Sequence, residues 1–408
     1  MLSRRAALLL AAGGLAQLSV PGAAAPTAAR RASATGPGPG LTELLDARAK
    51  ALLGRDAAAL AATATAGAAG AQQELRERLA AVPLAGLEYL APVPAGLPGA
   101  GPEVTAELAV RIEGYDGQPA RYSRRLALAR VGGRWLVERE EPAGGPAALW
   151  DLGVVRAAAG AHCLVLGLDG AATGPAEVAA VAGTVVPAVT AVWGTGWAGR
   201  LLLELPATED QFARLLDVRA ADYTDMAAVT SSAPGAPDQA PADRVMINPD
   251  AYRRLSAFGR QVVLTHEATH VATRADTRAW TPLWLSEGVA DWTGYLDTGR
   301  TARQIAPELA ADVAAGRLPT ALPADADFTA GAAGISQAYE LSWLACDLLA
   351  RRYGRQKLVA LYRAVGAAGA GAGRGRQLDQ VLRSELGTGL GEFTTLWIDE
   401  ARRLFGGG

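Results

Sequence analysis

The sequence predicts an α+β protein in two parts, and three patterns in the chain lead there. Val104, Ala106, Leu108, Val110 and Ile112 alternate with Thr105, Glu107, Ala109 and Arg111, the period of two of a half-buried strand. Ahead of that run, residues from Leu41 to about Leu90 are rich in Ala and Leu and favour helix. From Ala251 onward the apolar residues follow a helical period broken by glycine and proline. A small helix-plus-curved-antiparallel-sheet unit is expected first, then a unit with a short mixed sheet and a mostly helical C-terminal half. At 408 residues, half of them hydrophobic, the chain is long enough for two cores. A net charge of −2, with no run of like charge, offers no electrostatic footprint for nucleic acid.

In chain order, Arg4-Arg5 precede an apolar stretch from Ala6 to Val20 and then Pro21-Gly22-Ala23-Ala24-Ala25. This is the basic, hydrophobic and small-residue order of an export signal, here residues 1–25, and the arginine pair resembles a twin-arginine signal. The apolar stretch is short for a membrane span, so an exported or cell-envelope protein without a stable span is expected. Residues 26–40, ending in Gly36-Pro37-Gly38-Pro39-Gly40, form a Pro/Gly linker. The first domain is expected over 41–146. Its strand at Val104–Ile112 is followed by one from Tyr122 to Val131, a turn at Gly132-Gly133, and one beginning at Trp135. In this pattern it resembles the cone-shaped nuclear-transport-factor-2-like domains. Glu140 to Pro146 reads as the boundary. In 147–408, His162–Leu168, Arg200–Leu205 and Val245–Asn248 read as strands, Thr208–Leu216 as a helix and Ser232–Asp243 as a loop. Cys163 and Cys346 are too few for a disulfide scaffold, and Cys346 lies in the apolar run Leu341–Cys346 as a small hydrophobe would.

The chemistry concentrates in Thr265-His266-Glu267-Ala268-Thr269-His270, which holds two of the three histidines in the chain. Positions i and i+4 lie on one helical face, so both imidazoles can reach one metal ion with Glu267 beside it. With so few histidines, chance would produce such a match on the order of 0.001 times per chain. Leu255, Gly259, Val262, Val263, His266 and His270 share one face, which turns the histidines inward. A catalytic zinc takes three protein ligands. Glu287 is the candidate third, in the second turn of a helix opened by Thr281 and Pro282. Asp291, four residues on, is placed to orient a ligand histidine. The remaining histidine, His162, reads as a structural, partly exposed strand residue.

An H-E-x-x-H helix followed by a helix with a glutamate ligand and an aspartate four residues later resembles the gluzincin metallopeptidases. The flanks Pro282-Leu283-Trp284-Leu285-Ser286-Glu287-Gly288, Ala338-Tyr339 and Arg352-Tyr353-Gly354 are similar to those of the peptidase MA-like families. The likeness covers roughly 155–404. Sixteen residues separate His270 from Glu287, fewer than in the best-known gluzincins. The resemblance implies one zinc per chain on His266, His270 and Glu287, and a peptide or protein substrate. It implies that Glu267 is the general base for attack of zinc-activated water on a peptide bond, with Tyr339 a candidate oxyanion donor. Tyr339 reads equally well as a core tyrosine. Two other functions fit the same residues. One is a zinc-containing but catalytically inactive binding module of the cell envelope; the other is a zinc hydrolase of a non-peptide bond.

Overall fold

The computed structural model describes residues 40–94, 102–232, 239–369 and 373–406. The expected export signal and nearly all of the linker lie outside the described residues.

Three helices, α1 (Leu41–Leu53), α2 (Ala57–Ala62) and α3 (Ala69–Leu79), lead into four antiparallel strands. These are β1 (Leu84–Pro94), β2 (Glu103–Ile112), β3 (Ala120–Val131) and β4 (Arg134–Pro142), adjacent in chain order. Gly132 and Gly133 form the β3–β4 turn with φ of 55° and 82°, a backbone that glycine adopts without strain. Strand β1 corrects the expectation that helix-forming sequence runs to about Leu90. Pro83 disfavours helix immediately before it, and pairing with β2 (Leu87 opposite Val110, Tyr89 opposite Leu108) outweighs local propensity.

The second part contains α4 (Leu149–Leu152), β5 (Val155–Ala159), β6 (Cys163–Leu168), α5 (Pro175–Trp193), β7 (Leu201–Leu205), α6 (Glu209–Leu216), β8 (Ala228–Ser231) and β9 (Arg244–Ile247). Helices complete it: α7 (Pro249–Arg254), α8 (Ala257–Thr273), α9 (Leu283–Tyr295), α10 (Ala302–Ile305), α11 (Pro307–Ala314), α12 (Ile335–Tyr353), α13 (Arg355–Ala367), α14 (Arg374–Leu386) and α15 (Leu390–Phe405). The five strands form one mixed sheet in the order β5-β6-β7-β9-β8, with β6, β7 and β9 parallel and both edge strands antiparallel to their neighbours. The protein is therefore α+β, with a four-stranded antiparallel sheet, a mixed five-stranded sheet and a mostly helical C-terminal half.

Burial on both faces explains why the strands of the second sheet read as unbroken apolar runs. Cys163 and Val165 of β6, Leu201, Leu203 and Leu205 of β7, and Val245 and Ile247 of β9 join a core with α5, α8 and the C-terminal helices. The alternate residues Leu164, Leu166, Leu202 and Met246 pack into a second core that also holds Leu45, Leu108 and Leu126 of the N-terminal part. The two parts thus share one core across 140–150. A buried ion pair reinforces this joint: Arg244 of β9 grips both oxygens of Asp116 at 2.7 and 2.8 Å. Asp116 also accepts from the Ile112 and Ala242 amides, so its carboxylate is well satisfied. Breaking such a pair from one side costs about 3–5 kcal/mol.

Helix α5 is long and apolar enough to cross a membrane by length and composition. Its buried residues, Val178, Ala179, Ala182, Val185, Val186, Val189 and Trp193, follow one helical face and belong to the first core.

Candidate metal centre

Helix α8 carries the histidine pair, and its sequence shows why it is helical and buried. Ser256 caps its start by accepting from the Gly259 amide at 3.1 Å. Thr265, Thr269 and Thr273 form a row at four-residue spacing, and each hydroxyl donates to the carbonyl four residues earlier at 2.7–2.9 Å. Hydroxyls that would be costly to bury are thereby satisfied within the helix. With α5, α9 and β8 packed around it, His266, Glu267 and His270 are all buried.

Helix α9 brings the third group. The structure moves its start by one residue from the sequence expectation: Pro282 is the capping position and Leu283 the first helical residue. Pro282 has extended backbone and no N–H, and the free Leu283 amide is capped by the distant Asp325 carboxylate at 3.0 Å. Thr281 instead accepts from the Arg278 amide. Glu287 remains in the second turn. Gly288 lets α9 approach α12 closely, because a Cβ there would lie 2.5 Å from the Ser342 carbonyl oxygen and 2.7 Å from Cys346 Sγ. Backbone contact of this kind fixes how far Glu287 projects toward α8.

The predicted ligands converge. His266 Nε2 and His270 Nε2 face each other at 3.0 Å, and Glu287 Oε2 lies 3.3 Å from the first and 3.5 Å from the second. Asp291, on the same face of α9, sits 2.7 Å from His266 Nδ1. With Nδ1–H donating to that carboxylate, the Nε2 lone pair points at His270 and Glu287, the arrangement by which an outer carboxylate orients a ligand imidazole. Both Glu287 oxygens are buried, yet neither finds a hydrogen bond of good geometry among the described residues. Leaving a carboxylate so is costly unless a cation is its partner. Two imidazole nitrogens and this carboxylate, mutually within 4.8 Å, can hold a metal ion. The residues fit the group that the sequence pattern implies.

The electrostatics agree with the geometry. Burial opposes charge on His266, but the Asp291 carboxylate outweighs it and lifts the imidazole well above its usual pKa. Burial likewise opposes ionisation of Glu287, but His270 and His266 hold its carboxyl below the ordinary range. Burial raises Glu267 above the usual carboxylate range despite the neighbouring imidazoles.

Glu267 is held from the sheet side. The Thr230 hydroxyl on β8 donates to Glu267 Oε2 at 2.6 Å. Sequence reasoning missed Thr230 and its strand, whose four residues precede a Pro/Ala/Gly loop and show no alternation to mark them. Tyr339 is buried on α12, its ring 6.3 Å from that of His266 and edge-on to Phe328 at 5.3 Å. It lies beside the centre and is packed in the core at once. His162 is half-buried just ahead of β6 and belongs to no metal-holding group among the described residues. Cys163 and Cys346 are both buried and free, the latter against Gly288.

Comparison of this chain with protein-family models, with curated proteins and with solved structures finds no match.

Proposed function

We propose that this protein is an exported, zinc-dependent peptidase of gluzincin type, hydrolysing peptide bonds with Glu267 as general base. The observation that carries the reading is the convergence of His266, His270 and Glu287 with Glu267 one residue out of the ligand row. That donor set, two imidazoles and a carboxylate, is the three-ligand set suited to catalytic zinc. When bound, zinc supplies Lewis acidity that polarises a carbonyl and makes hydroxide accessible near neutral pH. Glu267 takes a proton from the attacking water and returns it to the leaving amine. Thr230 holds one oxygen of that carboxylate and so limits the rotations open to it. Asp291 keeps His266 in the tautomer that presents Nε2. Tyr339 is the candidate donor to the oxyanion, and the export signal in residues 1–25 takes the protein to the cell envelope or beyond.

The experiment is digestion of a broad peptide library by the full chain, read by mass spectrometry, before and after chelation and after zinc is added back. Cleavage that chelator abolishes and zinc restores is expected. A library left intact by the zinc-loaded protein would contradict the proposal and favour a binding role.

A further inference from the structure

A cavity of about 260 Å³ lies between the two parts of the chain, on the α8 side of their joint. Tyr115 from the β2–β3 turn, Trp197 and Arg200 from the segment before β7, Asp243 before β9, and Val271 and Arg274 at the end of α8 contribute to its wall. None of them belongs to the candidate metal centre.

Three observations give this cavity a chemistry. The Arg200 guanidinium lies over the Tyr115 ring, 5.4 Å from its centroid, and has no ion-pair partner among the described residues. Among the described residues of the wall the one carboxylate, Asp243, is taken by Arg274 at 3.1 Å. Trp197 Nε1, a donor with no accepting capacity, is buried without an acceptor among the described residues. The wall therefore carries one guanidinium in excess, steadied by an aromatic face, and an indole N–H in need of an acceptor. An anionic, planar, two-oxygen group satisfies both, and arginine is the side chain best shaped to grip one.

The cavity also stands in register with Glu267. Positions 267, 271 and 274 share one face of α8, and at 1.5 Å per residue Val271 and Arg274 lie roughly 6 and 10 Å along the axis from Glu267. On the sheet side, Thr230 touches Glu267, and Ser232, two residues further, hydrogen-bonds Asp243 in the cavity wall. Two residues of extended chain cover about 7 Å. An extended peptide advancing about 3.3 Å per residue reaches the cavity two to three residues from the bond attacked at Glu267.

We propose that this cavity is a substrate subsite that binds a carboxylate, either an acidic side chain or a terminal carboxyl, two to three residues from the scissile bond. The inference rests on the peptidase reading and gives the N-terminal part of the chain a role in selecting substrate. Arg200 and Trp197 Nε1 hold the carboxylate; neither touches the reacting atoms.

The test measures binding on zinc-loaded Glu267→Gln protein by calorimetry, so that turnover does not intrude. The probes are N-acetylated hexa-alanine peptides carrying one glutamate or one glutamine at each position in turn, each with a free or an amidated C-terminus. One glutamate position, or the free C-terminus, is expected to bind about ten- to a hundredfold tighter than its neutral counterpart. Which of the two does so identifies the source of the carboxylate. Arg200→Met, at an exposed position, and Trp197→Phe, which removes the indole N–H and keeps the ring in the core, should each weaken that peptide about tenfold. Binding of the neutral peptides should not change. Equal binding of charged and neutral probes, or a preference that survives Arg200→Met, overturns the subsite. A chain that cleaves no peptide yet keeps the Arg200-dependent preference sinks the peptidase reading instead, so the two failures are distinguishable.

Discussion

Glu267→Gln is expected to lower peptide hydrolysis by about 10²–10⁴-fold while the protein keeps its metal. The substitution preserves shape, and the amide oxygen still accepts from the Thr230 hydroxyl at the place where the carboxylate does at 2.6 Å. What it removes is the group that can take a proton from water and return it to the leaving nitrogen. Glu267 is buried next to His266 and His270 but contributes none of the three converging atoms, so metal content should be unaffected. The check is a pair of measurements on one preparation, initial rates against the wild type and zinc per chain by elemental analysis. Undiminished cleavage would remove Glu267 from the mechanism. A binding module would show no cleavage in either protein.

Gly288→Ala should be nearly as damaging, through the fold rather than the chemistry. The added methyl would sit 2.5 Å from a backbone oxygen of α12, which cannot step aside as the end of a flexible side chain can. Helix α9 must move away from α12, and the expected cost is about 3 kcal/mol, at the upper end for inserting a methyl group into a packed interior. Because Glu287 is the preceding residue, the shift should also weaken metal binding. Denaturant unfolding of the metal-free proteins isolates the first effect, and zinc titration of the folded variant reads the second. An alanine variant as stable as the wild type would mean that the two helices are not held at this separation.

The candidate metal centre was legible because its information is local. Four-residue spacing on one helix puts His266 and His270 on a common face whatever the rest of the fold does, and the same spacing puts Glu287 and Asp291 together on the next. Asp291 stands against His266 Nδ1 as that spacing requires. The parts that escaped are those set by distant partners. Thr230 reaches Glu267 only because a four-residue edge strand pairs with β9, and nothing within Ala228–Ser231 marks it as a strand. The helix-forming run to about Leu90 hid β1, whose conformation is decided by pairing with β2, a strand separated from its end by eight residues. Asp325, which caps α9, lies 42 residues from the amide it accepts from. The long apolar runs of β6 and β7 were readable as strands, but not that their second face would be covered by the N-terminal part of the chain. The joint through Asp116 and Arg244, 128 residues apart, leaves no pattern in sequence at all.

The claim on which the rest depends is that His266, His270 and Glu287 together hold one zinc ion. It is tested most directly by the zinc content of the full chain and of Glu287→Ala, each equilibrated with zinc, desalted and measured by elemental mass spectrometry. One zinc per wild-type chain is expected. In Glu287→Ala the affinity should fall by more than the roughly 10–100-fold typical of losing an outer supporting partner, leaving the desalted variant largely metal-free. A wild type that retains no zinc, or a Glu287→Ala variant that retains one per chain as tightly as the wild type, would contradict the three-ligand centre.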